Sequence, residues 1–181
     1  MPATTASRIP PSRRTVDAMI RVNHAGEYGA KRIYAGQMAV LPRGSADHAK
    51  VAHMAEQEER HLAHFEHLIA KRGVRPSLLQ PIWHGAGYAL GAVTAAMGPE
   101  AAMACTVAVE TEIDRHYAEQ LVALGDSDPD LSAAIIDFQA DEVAHKAEAL
   151  ASGAESAPAY PLLSAVIRAG CRVAIAAAQR I

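Results

Sequence analysis

A chain of 181 residues is long enough to bury a sizeable core and is most simply a single domain. Half of its residues are apolar but only 4% are aromatic, and the apolar mass is mainly Ala, Leu, Val and Ile, which favours an all-helical protein over a sheet protein. A net charge of −3 excludes the broad basic field that nucleic-acid binding needs, so no nucleic-acid partner is expected.

Residues 1–14, MPATTASRIPPSRR, read as a polar, Pro-containing tail that lacks the hydrophobic region of a secretory signal. A first helix is expected from Thr15 or Val16 to Val40, with Asp17 in its first turn and Pro42 just past its end. Ser45 is the expected N-cap of a second helix that runs to Arg72, where Gly73 stops it. An apolar, Gly-rich passage follows over residues 76–98, without an acid, Lys or Arg. A third long helix starts at Pro99 and ends before Gly125, and a fourth starts after Asp128, with Pro129 at its first position, and ends by Gly153. The last segment, PLLSAVIRAGCRVAIAAAQRI, has helical periodicity, with Arg168 and Arg172 four apart on one side. Four long helices with one long connection predict a four-helix bundle over residues 15–181, with an apolar crossover and an additional C-terminal amphipathic helix.

The apolar stripe of the second helix contains polar residues. Val51, Ala55, Leu62, Phe65 and Ile69 follow a three-four spacing, and continuing it places Glu58 and His61 on the same face. Glu56, Glu59 and Arg60 fall off that stripe and read as a solvated face. The fourth helix repeats the pattern: Leu131, Ile135 and Phe138 lead to Glu142 and His145 in DEVAH. Single inward acids complete the set. Glu27 shares a face with Ile20 and Tyr34, and Glu110 shares one with Met103, Val107 and Tyr117. Glu27 to Glu58 is 31 residues and Glu110 to Glu142 is 32, as two similar helical hairpins would give.

Four carboxylates and two imidazoles in an apolar core would cost several kcal/mol per unpaired ion. No set of inward Lys or Arg is available to neutralise them. Two divalent cations would match four carboxylates in charge, and a mixed carboxylate–imidazole set without thiolates suits iron or manganese. One Glu from each of two helices plus Glu-x-x-His from each of the other two is the ligand pattern of di-iron and di-manganese bundles.

Four stretches carry a resemblance to a known family: RVNHAGEYGAKRIYAGQMAVL (21–41), MAEQEERHLAHF (54–65), AMACTVAVE (102–110) with RHY after it, and AGCRVAI (169–175). Together they resemble the demethoxyubiquinone hydroxylases of ubiquinone biosynthesis, from about residue 16 onward. The resemblance implies a ferritin-like, membrane-associated di-iron monooxygenase that hydroxylates the ring of a polyprenylated demethoxyubiquinol with O₂. It implies one iron on Glu27, Glu58 and His61 and the other on Glu110, Glu142 and His145, with Glu58 and Glu142 bridging. It further implies electrons from NADH, a peripheral location on the cytoplasmic or organelle-matrix face of the inner membrane, and room for a lipid-presenting partner, a biosynthetic complex or a homo-oligomer. Asn23 departs from the Asp expected in animal versions of the motif, which puts the tuning of the centre in doubt but not metal binding. No G-x-G-x-x-G fingerprint for a nicotinamide cofactor is present.

The uncharged passage approaches the length of a membrane span, yet it contains Pro81, His84 and several glycines. An interfacial segment with Trp83 and Tyr88 at the headgroup boundary is the preferred expectation, and a crossover packed on the bundle is the alternative. With the C-terminal helix it would shape an entrance for a polyprenyl tail. His24 reads as a core or outer histidine, not a seventh ligand, and His53, His64 and His67 as exposed or satisfied. His116 and Tyr117 are candidates for lining the quinone pocket, against a plain reading of Tyr117 as a packed tyrosine with a bonded hydroxyl. Cys105 and Cys171 read as inert packing. The competing function is a ferritin-type ferroxidase or iron-storage bundle without an organic substrate.

Overall fold

The computed structural model describes residues 10–181, and among these there are helices and no strand. The polar tail expected over residues 1–14 lies largely outside the described residues. The six α-helices are α1 (Arg13–Val40), α2 (Ala46–Arg72), α3 (Gln80–Ala96), α4 (Pro99–Leu124), α5 (Pro129–Ala151) and α6 (Tyr160–Ala178), with a short 3₁₀ turn at Ala154–Ser156.

Most helix ends follow from local chemistry. Ser45 accepts a hydrogen bond from His48 N–H at the start of α2, and Gly73 closes that helix with φ of 67°. Asp128 caps α5 by accepting from Leu131 N–H, and the same carboxylate pairs with Arg72, tying the end of α2 to the start of α5. The start of α1 lies two residues earlier than expected, because Ser12 accepts from Thr15 N–H. Asp17 therefore falls beyond the first turn, one turn after Arg13, at 3.9 Å from it.

Helices α1, α2, α4 and α5 form the bundle. Its interior divides into two apolar clusters, one around Met54, Met103 and Val107, the other around Ile20, Phe65, Leu131 and Phe138. The inward polar residues of all four helices sit between them.

The passage over residues 76–98 is mostly helix, in spite of its glycines. α3 lies along α1, and the glycines are the reason it can. A Cβ on Gly91 would stand 1.9 Å from the Ile33 carbonyl oxygen, and one on Gly36 would stand 2.1 Å from that of Tyr88. Two backbones meet there, which only glycine permits. Packing is nevertheless one-sided: Gly91, Thr94 and Ala95 are buried, while Ile82 and Val93 are 57% and 59% exposed.

α6 packs on α4 and is fixed by ions as well as by Ile167. Glu112, fully buried on α4, accepts from Arg168 Nε at 2.7 Å and Arg172 Nη1 at 3.0 Å with one oxygen, and from Arg115 with the other. These contacts hold the carboxyl below its usual range, although burial alone would raise it. The outer face of α6 is apolar, with Leu162, Val166 and Val173 each more than 60% exposed. Among the described residues, α6 is the one helix long and apolar enough to cross a membrane by length and composition.

Candidate metal centre

Each bundle helix delivers its inward carboxylate to one point. Glu27, Glu58, Glu110, Glu142, His61 and His145 are all buried, at 2% exposure or less. Their atoms form two quartets, Glu27–Glu58–His61–Glu142 and Glu58–Glu110–Glu142–His145, each with ligand atoms within 4.8 Å of one another. Glu58 and Glu142 belong to both. His61 Nδ1 stands 3.4 Å from Glu27 and 3.3 Å from Glu142, and His145 Nδ1 stands 3.4 Å from Glu58 and 3.2 Å from Glu142.

None of these contacts has hydrogen-bond geometry. Eight buried atoms of the six residues have no hydrogen-bond partner: one oxygen each of Glu27 and Glu110, both of Glu58 and Glu142, and both Nδ1 atoms. Burial on this scale without partners is costly, and a cation is the group that offsets it for acceptor-only atoms. The donor set of carboxylates and imidazoles fits iron or manganese. Without cations the groups must share protons. Burial, then Glu142 and other carboxylates, push Glu58 and Glu110 well above the carboxylate range. Burial opposes charge on Glu142 and on His61 as well. Even so, His145 and His61 hold Glu142 down to about 2, and Glu142 and Glu27 lift His61 to about 10.

Two tyrosines complete the inner arrangement. Tyr34 on α1 donates to Glu110 Oε1 at 2.6 Å, and Tyr117 on α4 donates to Glu27 Oε1. Each lies seven residues beyond the glutamate of its own helix and binds the glutamate of the other. Burial and the nearby carboxylates keep both phenols well above their ordinary pKa.

The sequence matches the family described as Ubiquinone biosynthesis protein COQ7 over residues 14–178. The chain is 51% identical to the 3-demethoxyubiquinol 3-hydroxylase of Rhodospirillum rubrum over 166 residues, which is 92% of this chain and 78% of that protein. It is 49% identical over 174 residues to the human protein named NADPH-dependent 3-demethoxyubiquinone 3-hydroxylase, mitochondrial, covering 94% of this chain and 80% of the relative. The yeast 5-demethoxyubiquinone hydroxylase, mitochondrial, is 42% identical over 183 residues, covering 92% and 78%. The chain belongs to the COQ7 family.

For this family member, several residues around the six were not legible as site residues in the sequence. His61 Nε2 meets Asp141 Oδ2 at 3.0 Å, and His145 Nε2 meets Gln57 Oε1 at 3.0 Å. Arg60, which the stripe assigns to a solvated face, is half-exposed but bonded: it donates to Asp141 and, at 2.6 Å, to Asp137. The signal is positional. Gln57 and Asp141 each directly precede the glutamate of a Glu-x-x-His, a place that helical geometry turns toward the neighbouring helix.

Asn23 hydrogen-bonds to none of the six. It exchanges two hydrogen bonds with Gln120, at 2.9 and 2.7 Å, and Gln120 Nε2 also lies 2.8 Å from His116 Nε2. An Asp could not donate to Gln120, so the departure at Asn23 bears on the Gln120–His116 pair. The donation from Gln120 makes His116 Nε2 an acceptor, which agrees with burial lowering its pKa. His24 is buried but belongs to neither quartet, His53 and His67 are exposed, and His64 is half-buried against Phe65 and Phe138.

A cavity of about 390 Å³ opens on the side of α1 and α4 away from α2 and α5, covered by α3 and α6. Its walls are almost wholly apolar and include Gly26, Gly29, Trp83, Leu90, Ile113 and Ile175. Cys171 lines it, and Cys105 is buried in the adjoining cluster; burial pushes both thiols up to about 12, which leaves them protonated. Neither His116 nor Tyr117 is part of its lining.

Proposed function

We propose that the chain is a di-iron monooxygenase that hydroxylates the ring of a polyprenylated demethoxyubiquinol with O₂. The observation that carries this reading is the pair of buried quartets joined at Glu58 and Glu142, with eight unpartnered ligand atoms. Glu27, Glu58 and His61 would hold one iron and Glu110, Glu142 and His145 the other, with Glu58 and Glu142 bridging. The bound iron pair would supply reductive activation of O₂. The chain's own residues supply the rest: Tyr34 and Tyr117 orient the terminal carboxylates, and the flanking apolar clusters exclude water.

Substrate class follows from the cavity and from the names of relatives. An uncharged cavity between α1, α4 and two outer helices suits an isoprenoid tail, with glycines on α1 allowing close approach. The exposed apolar faces of α3 and α6 support a peripheral position on a membrane, and the resemblance implies the cytoplasmic or matrix face of the inner membrane. Several relatives are named NADPH-dependent, and the resemblance implies NADH, so the electron source in this proposal is a nicotinamide of either form. The ferroxidase alternative is not favoured, since the relatives are named as hydroxylases.

The test is metal stoichiometry after anaerobic loading. The chain should carry two irons, and Glu58→Ala should lose both while the metal-free fold persists by circular dichroism. A folded wild-type chain that retains no iron would refute the reading.

A further inference from the structure

The two halves of the centre share ligand types and differ in what stands behind their histidines. Gln57 on α2 reaches across to His145 on α5, and Asp141 on α5 reaches across to His61 on α2. In each case the partner takes the Nε2–H, which leaves Nδ1 turned toward the carboxylates. One acceptor is a neutral amide and the other is a carboxylate. Arg60 shares the Asp141 carboxylate, with its Nη2 3.5 Å from His61 Nε2, and also binds Asp137, so these three residues together retain one negative charge behind His61. The rings are held differently as well. His61 stacks on Phe138 with centroids 4.2 Å apart, whereas His145 meets Tyr34 edge-on at 6.3 Å.

We propose that Asp141 and Gln57 make the two halves inequivalent, so that the His61 half binds its metal ion more tightly and fills first. The proposal rests on the metal-centre reading above and goes beyond it. An anionic acceptor pulls on the Nε2–H, enriches Nδ1 in electron density and makes it the better donor to a cation; a neutral amide does this weakly. It also fixes one tautomer and one ring orientation, as the stacking on Phe138 does from the ring face. Partners of this kind change metal affinity by about 10–100-fold, and because Arg60 shares the carboxylate, the lower end applies, about tenfold. Asp141 and Gln57 are positioning residues, since neither carries an atom of either quartet.

The experiment uses the full chain stripped of metal and titrated with cobalt(II) against a competing chelator, read by visible absorption. Two steps about tenfold apart are expected. Asp141→Asn should weaken the tighter step by about tenfold and leave the weaker one in place. Gln57→Glu should strengthen the weaker step. Two half-site variants identify the halves, because Glu27 belongs only to the His61 quartet and Glu110 only to the other. Glu110→Gln should leave the tighter step, and Glu27→Gln the weaker.

A single step in the wild type overturns the proposal. So does an Asp141→Asn variant that weakens both steps equally, as a merely structural role predicts, and so do half-site variants that bind one ion equally tightly, as repulsion between two ions in equal halves predicts. If Asp141→Asn fails to fold, Gln57→Glu and the half-site variants still decide the matter. A folded wild-type chain that binds no cobalt would instead overturn the metal-centre reading itself.

Discussion

Replacing Gly91 by Ala tests how α3 is seated, and a second glycine provides the control. At Gly91 the new methyl would lie 1.9 Å from the Ile33 carbonyl oxygen and 3.0 Å from Gln37 N, both backbone atoms that cannot swing aside. Non-bonded atoms settle at about 3.5 Å, so α1 and α3 would have to part by roughly 1.5 Å. At Gly26 an added methyl meets nothing within 4 Å. Both variants gain ~1 kcal/mol of helix propensity, so the difference between them isolates the overpacking, ~1–3 kcal/mol. For a domain of this size that corresponds to a Tm roughly 2–12 °C lower for Gly91→Ala than for Gly26→Ala. Calorimetry on both variants at equal metal loading measures the gap, and hydrogen exchange over α3 locates it. Equal Tm values with unchanged exchange in α3 would refute the glycine-mediated seating.

Three further outcomes follow from the site. The metal-free fold binds protons on Glu58, Glu110 and His61 that the unfolded chain has already released, so its stability should fall as pH rises from about 5 towards about 10. Glu142, held at about 2, acts in the opposite sense only below the ordinary carboxylate range. Metal must displace the same protons, so apparent metal affinity should climb over that window; urea denaturation and metal titration at pH 5, 7 and 9 check both, and flat profiles would contradict them. Gly29 lines the cavity and a Cβ there would meet nothing within 4 Å, so Gly29→Leu fills part of it and should raise KM for a long-tailed quinol by about tenfold, the worth of two displaced methylenes, with little effect on a tail-less analogue. Tyr117→Phe removes a donor to a buried carboxylate, a bond worth ~1.5–3 kcal/mol, and should weaken metal binding with the helical content retained; unchanged affinity would count against its orienting role.

Local rules carry much of this structure. Ser45, Gly73, Pro99, Asp128 and Pro129 mark helix ends in the sequence because a cap or a fixed φ is a property of a few adjacent residues. The six inward polar residues are legible for a related reason: helical spacing alone places them within an apolar stripe. What escapes is contact between distant segments. Gly85, Gly87 and Gly91 look like breakers in a list of residues, and Gly91 is where one helix lies against another. Glu112, two residues from Glu110, gains its meaning only when α6 brings Arg168 and Arg172 to it. Asp141 and Gln57 are hidden in the same way, because their partners are 80 and 88 residues away. Arg60 shows the limit of the stripe argument, since an off-stripe residue can still bind across to the neighbouring helix.

The central claim is that this buried cluster activates O₂ for insertion into a quinol ring. The most direct measurement loads the chain with iron, adds a demethoxyubiquinol analogue and reductant under ¹⁸O₂, and examines the product by mass spectrometry. The expected product has gained one ¹⁸O atom, with none formed by the Glu58→Ala or Glu142→Ala variant. Iron oxidation without any oxygen gained by the quinol would contradict it.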